Sequence, residues 1–269
     1  DDDFIWPANL SDASLNLAWA ATLGPSYSGP IVVGETVYTT ETIGKKVERV
    51  TAFKKTTGEK IWSAEWEGAM KVPFFAAANG SWIRATPAAT QDYLLVGGIR
   101  DVLVCLDAAT GAEVWRQDFV KSLSTSIPTF GFVSSPLIRD GYVYVQAGGG
   151  LLKLKLETGE IVWRTLDDGG GMNGSAFSSP VIREGAGQSQ LLVQTRQELV
   201  GVDLEQGEKL WSVKVPAFRG MNILTPTVFA GNKLFTSTYR NGSFAYRVSN
   251  NGGQWKVTEE WRNNIQGYM

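Results

Sequence analysis

A glycine followed four residues later by a tryptophan recurs along this chain: Gly58 with Trp62, Gly111 with Trp115, Gly159 with Trp163, and Gly207 with Trp211. Successive tryptophans are 53, 48 and 48 residues apart. A looser copy ends at Trp261, 50 further on, and a bare Trp19 stands 43 before Trp62. A fixed period of this size restricts the fold more than any bulk property. Each repeat must be one supersecondary unit that buries its apolar face against the next copy.

A second signal lies between the tryptophans: a proline, a short apolar strand, a turn and another strand. It reads "SGPIVVGETVYTT", "ATPAATQDYLLVGG", "SSPLIRDGYVYVQAG", "SSPVIREGAGQSQLLVQT" and "LTPTVFAGNKLFTSTY". The order is constant, so each unit predicts four short strands of about 4–7 residues joined by hairpins. Turn residues that tolerate positive φ sit at Asp140-Gly141, Gly148 to Gly150, Gly231-Asn232 and Asn241-Gly242. No stretch keeps helical apolar spacing for three turns. Four antiparallel strands per period of about 45–50 residues predict an all-β fold, a β-propeller of four-stranded antiparallel blades. A β-sandwich or several small β domains is the alternative, but a sandwich has no reason to repeat one phrase five times. The expected division is a single propeller domain over 1–269. Its blades fall at 28–66, 84–119, 133–166, 177–215 and 223–262, and 15–22 is the outer strand of a further blade.

The phrase resembles the tryptophan-docking motif of the pyrroloquinoline-quinone (PQQ) type β-propeller repeat family, whose pattern is Ala-x-Asp-x-x-Thr-Gly-x-x-x-Trp. The fullest copy is Cys105, Asp107, Thr110, Gly111 and Trp115. The first copy has Ala52, Lys54, Thr57, Gly58 and Trp62; the third has Lys153, Lys155, Thr158, Gly159 and Trp163. The fourth has Gly201, Asp203, Gln206, Gly207 and Trp211, and the fifth keeps only a turn and Trp261. The resemblance implies that these tryptophans pack between adjacent blades, each flat ring burying on the order of 200 Å². It also implies seven or eight blades. Five complete ones are visible here, so a fragment or open arc of a longer propeller is expected, with a closed five-bladed ring as the rival. Bare ends of an arc would be covered by missing blades or another chain.

Composition removes many chemistries. The chain has no histidine and one cysteine, Cys105, among 269 residues. An internal disulfide framework, zinc sites of several Cys or His ligands, and Ser-His-Asp or Cys-His catalysis are all excluded. A net charge of −2 with mixed signs gives no electrostatic case for nucleic acid. No apolar run approaches the roughly 20 residues of a membrane-spanning helix. "GGGMNG" at 169–174 fits a dinucleotide-binding pattern by spacing, but a proline-led strand follows it instead of a helix. Asp167-Asp168 offers paired carboxylates or a calcium ligand, against the plainer reading of a solvated loop. Asn-x-Ser sequons at Asn9, Asn79, Asn173 and Asn241 follow from turn composition.

The loops that lead from each Trp-strand to the next Pro-strand are longer than a hairpin needs. They carry Trp82, Arg84, Phe132, Asn173, Phe177, Arg219 and Asn222, candidates for a ligand- or peptide-binding face at the channel mouth. The expected role is a non-catalytic scaffold with protein or peptide partners. The resemblance implies a periplasmic, cell-envelope or secreted location. The alternative it implies is a PQQ-dependent dehydrogenase or redox domain using calcium. Against that stand the missing Cys-Cys pair and the absence of residues matching the family's metal ligands, so no cofactor is expected. A sensor domain of a larger receptor is a third possibility.

Overall fold

The structure, a computed structural model, describes residues 16–184, 187–230 and 233–264. The expected Gly231-Asn232 turn and the Asn9 sequon lie outside them. Twenty strands form five four-stranded antiparallel sheets, each built from strands consecutive in sequence. The first sheet holds β1 (Ile31–Val33), β2 (Thr36–Ile43), β3 (Val47–Lys54) and β4 (Lys60–Glu67). The second holds β5 (Ala88–Ala89), β6 (Tyr93–Gly98), β7 (Val102–Asp107) and β8 (Glu113–Asp118). The third holds β9 (Leu137–Arg139), β10 (Tyr142–Ala147), β11 (Gly150–Lys155) and β12 (Ile161–Thr165). The fourth holds β13 (Val181–Arg183), β14 (Gln190–Gln194), β15 (Glu198–Asp203) and β16 (Lys209–Lys214). The fifth holds β17 (Thr227–Phe229), β18 (Lys233–Thr238), β19 (Gly242–Asn251) and β20 (Gln254–Asn263). Helix among the described residues is limited to α1 (Phe119–Ser122) and two short 3-10 turns. Residues 16–30, which include most of the span expected as an outer strand, carry no strand.

The sheets stack face to face in chain order, and the core is divided into layers between them. Tyr38, Val50 and Ala52 of the first sheet meet Leu94, Val96, Val104 and Leu106 of the second. Leu95, Leu103 and Cys105, one residue out of phase, point the other way to Val143, Val145, Leu152 and Leu154. Third and fourth sheets meet through Tyr144, Leu151, Leu191, Val193 and Val200. Fourth and fifth meet through Leu192, Leu199, Leu234, Phe244 and Tyr246. The two-residue period of a strand thus feeds two layers at once. Middle strands such as β6, β10 and β14 are therefore apolar on both faces. Outer strands alternate instead: β4, "KIWSAEWE", exposes every other side chain.

Antiparallel order gives each sheet two distinct ends. The start of its first strand, the turn between its second and third, and the end of its fourth all fall at one end, termed the loop end here. The first hairpin and the Gly-x-x-x-Trp turn fall at the other, the turn end. Inter-sheet loops, β2–β3-type hairpins and their side chains therefore gather on one face of the molecule.

Candidate functional site

The turn end joins the sheets. In each of four turns the glycine has positive φ: 70° at Gly58, 76° at Gly111, 70° at Gly159 and 74° at Gly207. A neighbouring indole occupies the space of each missing side chain. A Cβ on Gly111 would lie 2.5 Å from the ring of Trp62; on Gly159, 2.6 Å from Trp115; on Gly207, 2.8 Å from Trp163; on Gly58, 2.5 Å from Trp19. So each tryptophan lies on the glycine of the following repeat. The indole N–H then donates to the carbonyl three residues before that glycine: Trp19 to Lys55, Trp62 to Ala108 and Trp115 to Leu156, at 2.7–3.1 Å. The turn itself is tied by side chains. Asp107 Oδ1 accepts from the Ala109 and Thr110 backbone N–H groups and the Thr110 hydroxyl. Thr158 Oγ1 accepts from the Glu160 N–H.

Two tryptophans depart from this pattern, and the residue paired across from each tryptophan accounts for the departures. That position holds Ala52, Cys105, Lys153, Gly201 and Ala245 in turn. At Lys153 the buried ammonium donates to the Leu204 carbonyl at 2.8 Å, the group the Trp163 indole would otherwise take, and Trp163 Nε1 is left without a partner. At Gly201 the missing side chain lets Trp211 fold over its own sheet. A Cβ there would lie 2.2 Å from Trp211 Nε1, which donates to Gln190 Oε1 at 2.6 Å. Trp211 packs against Phe244 and Tyr246 of the fifth sheet, while Gly252 and Gly253 in that sheet's turn face open space. Trp261 is 46% exposed beside Phe235.

The loop end holds the cavities. The larger, of about 1240 Å³, opens among the loops after β4, β8, β12 and β16 and the β14–β15 and β18–β19 turns. Of the seven residues expected on a binding face, Arg84, Asn173, Phe177 and Arg219 line it. Trp82 lines a second cavity and packs 5.3 Å from Tyr27. Phe132 lies inside the core under Gly97, and Asn222 is fully buried. Asn222 Nδ2 donates to the carbonyls of Thr195, Arg196 and Val215.

The organising side chain of this cavity is Arg196, at the tip of the β14–β15 hairpin. Its guanidinium donates to the carbonyls of Gly174 (3.3 Å) and Arg219 (2.9 Å) and lies 4.5 Å from the Phe177 ring centre. Burial pulls its pKa below the usual value for arginine. One planar fork with several donors thereby fixes two loops at once. No local sequence signal singles it out, because the equivalent turns of the first, second and fifth sheets also carry cations, at Lys45, Arg100 and Arg240.

Carboxylates at this end serve the backbone. Asp168 accepts from the N–H groups of Gly170 and Ser175 and closes the glycine-rich loop. Asp167 accepts from the Gly169 N–H and pairs with Arg164. Glu48 is buried, accepts from the Trp66 indole (2.7 Å) and the Ile99 N–H (2.8 Å), and is pushed by burial up to about 7. Asp101 accepts from the Gly148 N–H at 3.0 Å while its second oxygen has no partner, and burial pushes it to about 7 as well. Each bridges one sheet to a turn of the next.

The two loop-end cavities offer no carboxylate cluster for a calcium ion. Among the described residues no group of three or more His, Cys, Asp and Glu could hold a metal. Glu198, the one carboxylate on the larger cavity, pairs with Lys209. No helix among them is long and apolar enough to cross a membrane.

Comparison with known proteins agrees with the architecture. Solved structures that resemble the chain include BamB from Moraxella catarrhalis, at 18% identity and a TM-score of 0.63, covering 87% of this chain and 62% of that one. The quinohemoprotein alcohol dehydrogenase of Comamonas testosteroni follows at 18% identity and 0.58, covering 88% of this chain and 43% of that one. A second such enzyme, ADHIIG from Pseudomonas putida HK5, matches at 14% and 0.60, covering 84% and 45%. The chain thus spans less than two thirds of each of these proteins. No curated protein sequence matches it. At these identities the structures establish the propeller fold alone. The family model described as outer membrane protein assembly factor BamB matches residues 46–269, so the chain belongs to that family.

Proposed function

We propose that this protein is a non-catalytic propeller scaffold of the cell envelope that binds a protein or peptide partner on its loop end. One observation carries the reading. That end holds a cavity of about 1240 Å³ walled by Phe177, Phe218, Tyr239 and cationic side chains. Aromatic rings with a few convergent polar groups are the chemistry of a recognition surface. Membership of an outer-membrane assembly family and the likeness to BamB support a partner protein and an envelope location. The dehydrogenase likeness supports the rival cofactor reading, which the donor set above disfavours.

A photo-crosslinking residue at Met172 or Phe218, both exposed on this cavity, tests the proposal in intact cells. A discrete protein adduct is expected there and not from Glu157 at the turn end. Absence of adducts, or a chromophore bound one-to-one after incubation with PQQ and calcium, would overturn it.

A further inference from the structure

Of the 25 Lys and Arg side chains, thirteen belong to no ion pair among the described residues, and eight of those thirteen line two cavities at the loop end. Twelve Lys and Arg side chains form ion pairs among the described residues, and none of those twelve lines either loop-end cavity. The cations that do line the cavities belong to none of these pairs. In the larger they are Arg84, Arg196, Lys214 and Arg219; in the second, of about 1010 Å³, they are Lys45, Lys46, Lys71 and Arg100. The second cavity has no carboxylate in its lining, and all four of its cations are exposed. A protein of net charge −2 thus lines two recesses at one end with cations that form no ion pair, although Arg100 and Arg196 lie within electrostatic reach of Asp118 and Asp168.

The second cavity is also apolar between its charges. Met70, Val72, Trp82 and Ile127 contribute to its walls. The Arg100 guanidinium donates to the Ala69 carbonyl at 3.2 Å, which ties the β6–β7 turn to the long loop after β4. The Lys45–Lys46 pair sits on the β2–β3 hairpin, where Gly44 and Lys45 both have positive φ (56° and 58°). Three elements of the first two sheets therefore bring cations to the rim of one concave apolar groove.

We propose that the groove bounded by Lys45, Lys46, Lys71 and Arg100 receives an acidic segment of a partner protein, one that alternates carboxylates with aromatic or aliphatic side chains. Like charges held together cost free energy that a complementary partner recovers, and they steer its approach. The apolar walls supply the burial that a free anion would not use. Cations interleaved with apolar side chains match a peptide that carries both kinds of group, and phospholipid vesicles enter the test as the competing anionic surface. The proposal rests on the scaffold reading for its choice of a protein partner, but it concerns a different cavity.

A fluorescein-labelled peptide of alternating Glu and Phe, its Lys and Phe counterpart, and phosphatidylglycerol vesicles are the probes. Fluorescence anisotropy should show the acidic peptide binding at least about tenfold more tightly than the basic one, and weakening as salt rises from about 50 to about 300 mM. The triple variant K45E/K46E/K71E should lose about tenfold or more for the acidic peptide. Should that variant misfold by circular dichroism, the neutral K45Q/K46Q/K71Q is expected to show a smaller loss in the same direction. Equal affinity for both peptides, a folded variant that binds unchanged, or sedimentation with vesicles in preference to the peptide would each overturn the proposal. Cross-links from Met172 and Phe218 report on the other cavity. Their persistence alongside a failed peptide assay would sink this inference alone; their absence would sink the scaffold reading.

Discussion

Gly111 and Gly141 have nearly the same backbone, with φ of 76° and 77°, but different surroundings: an indole lies over the first and nothing lies within 4 Å of the second. Ala at 141 pays only for left-handed backbone, about 1 kcal/mol. Ala at 111 pays that and must also displace Trp62, about 2–4 kcal/mol in all. Urea denaturation of the two variants is expected to separate them in that order. Asp101 gives a second residue-scale prediction. Its folded pKa, about 7, lies above its ordinary value of 3.8, so the unfolded chain releases this proton more readily. Its contribution is therefore greatest below about pH 4 and falls as pH rises towards 7, by up to about 1.4 kcal/mol per unit. Glu48 acts in the same sense. Asp101→Asn should flatten the melting temperature between pH 5 and pH 8 and raise it at pH 8. Asn tolerates positive φ and its side-chain carbonyl still accepts from Gly148.

At the scale of the strand, every sheet carries a register shift beside its tryptophan, at Ala52/Phe53, Cys105/Leu106, Lys153/Leu154, Gly201/Val202 and Ala245/Tyr246. The extra residue of each bulge precedes the indole, and three of the five, Ile61, Val114 and Val162, are more than 40% exposed. A bulge re-aims the side chain beside it, so these five sit where the indole must be turned. Nothing in the sequence marked them, because a bulge costs one residue and leaves the alternation on either side intact. The strands and turns were legible, since proline, glycine and two-residue alternation are local signals. The exceptions at Trp163 and Trp211 were not. Their causes, Lys153 and Gly201, act on a carbonyl and a ring reached only through the neighbouring strand or sheet. Removal of Trp115 should cost about 3–5 kcal/mol. Lys153→Ala should cost less, because the Trp163 indole can then take the Leu204 carbonyl. A downfield shift and slower solvent exchange of that indole N–H by NMR would show the transfer.

For the molecule as a whole, stacked repeats make stability a sum of sheets and joints. The loop-end site was only half legible for the same reason. The long loops lead to the end that holds the cavities, and four of the seven expected residues line the larger one. Arg196 and the Lys45–Lys46 hairpin were missed because the topology, not their local sequence, carries them there. The joints differ in kind. The first three use a tryptophan on a glycine, and the fourth does not. The fourth also buries Arg183, whose Nη2 reaches the Val248 carbonyl at 3.4 Å while Nε and Nη1 have no partner. A desolvated, half-partnered guanidinium weakens its layer. Native-state hydrogen exchange should find the amides of β18 and β19 opening at lower free energy than those of β6 and β10.

The inward fold of Trp211 over Gly201 has a mechanical reading. Three interlocks and one smooth contact make a chain of unequal links, and load finds the smooth one. Stretched between its termini in an optical trap, the molecule should yield first by a single short rip that peels away the last forty or so residues, at a force well below that of the rupture that follows.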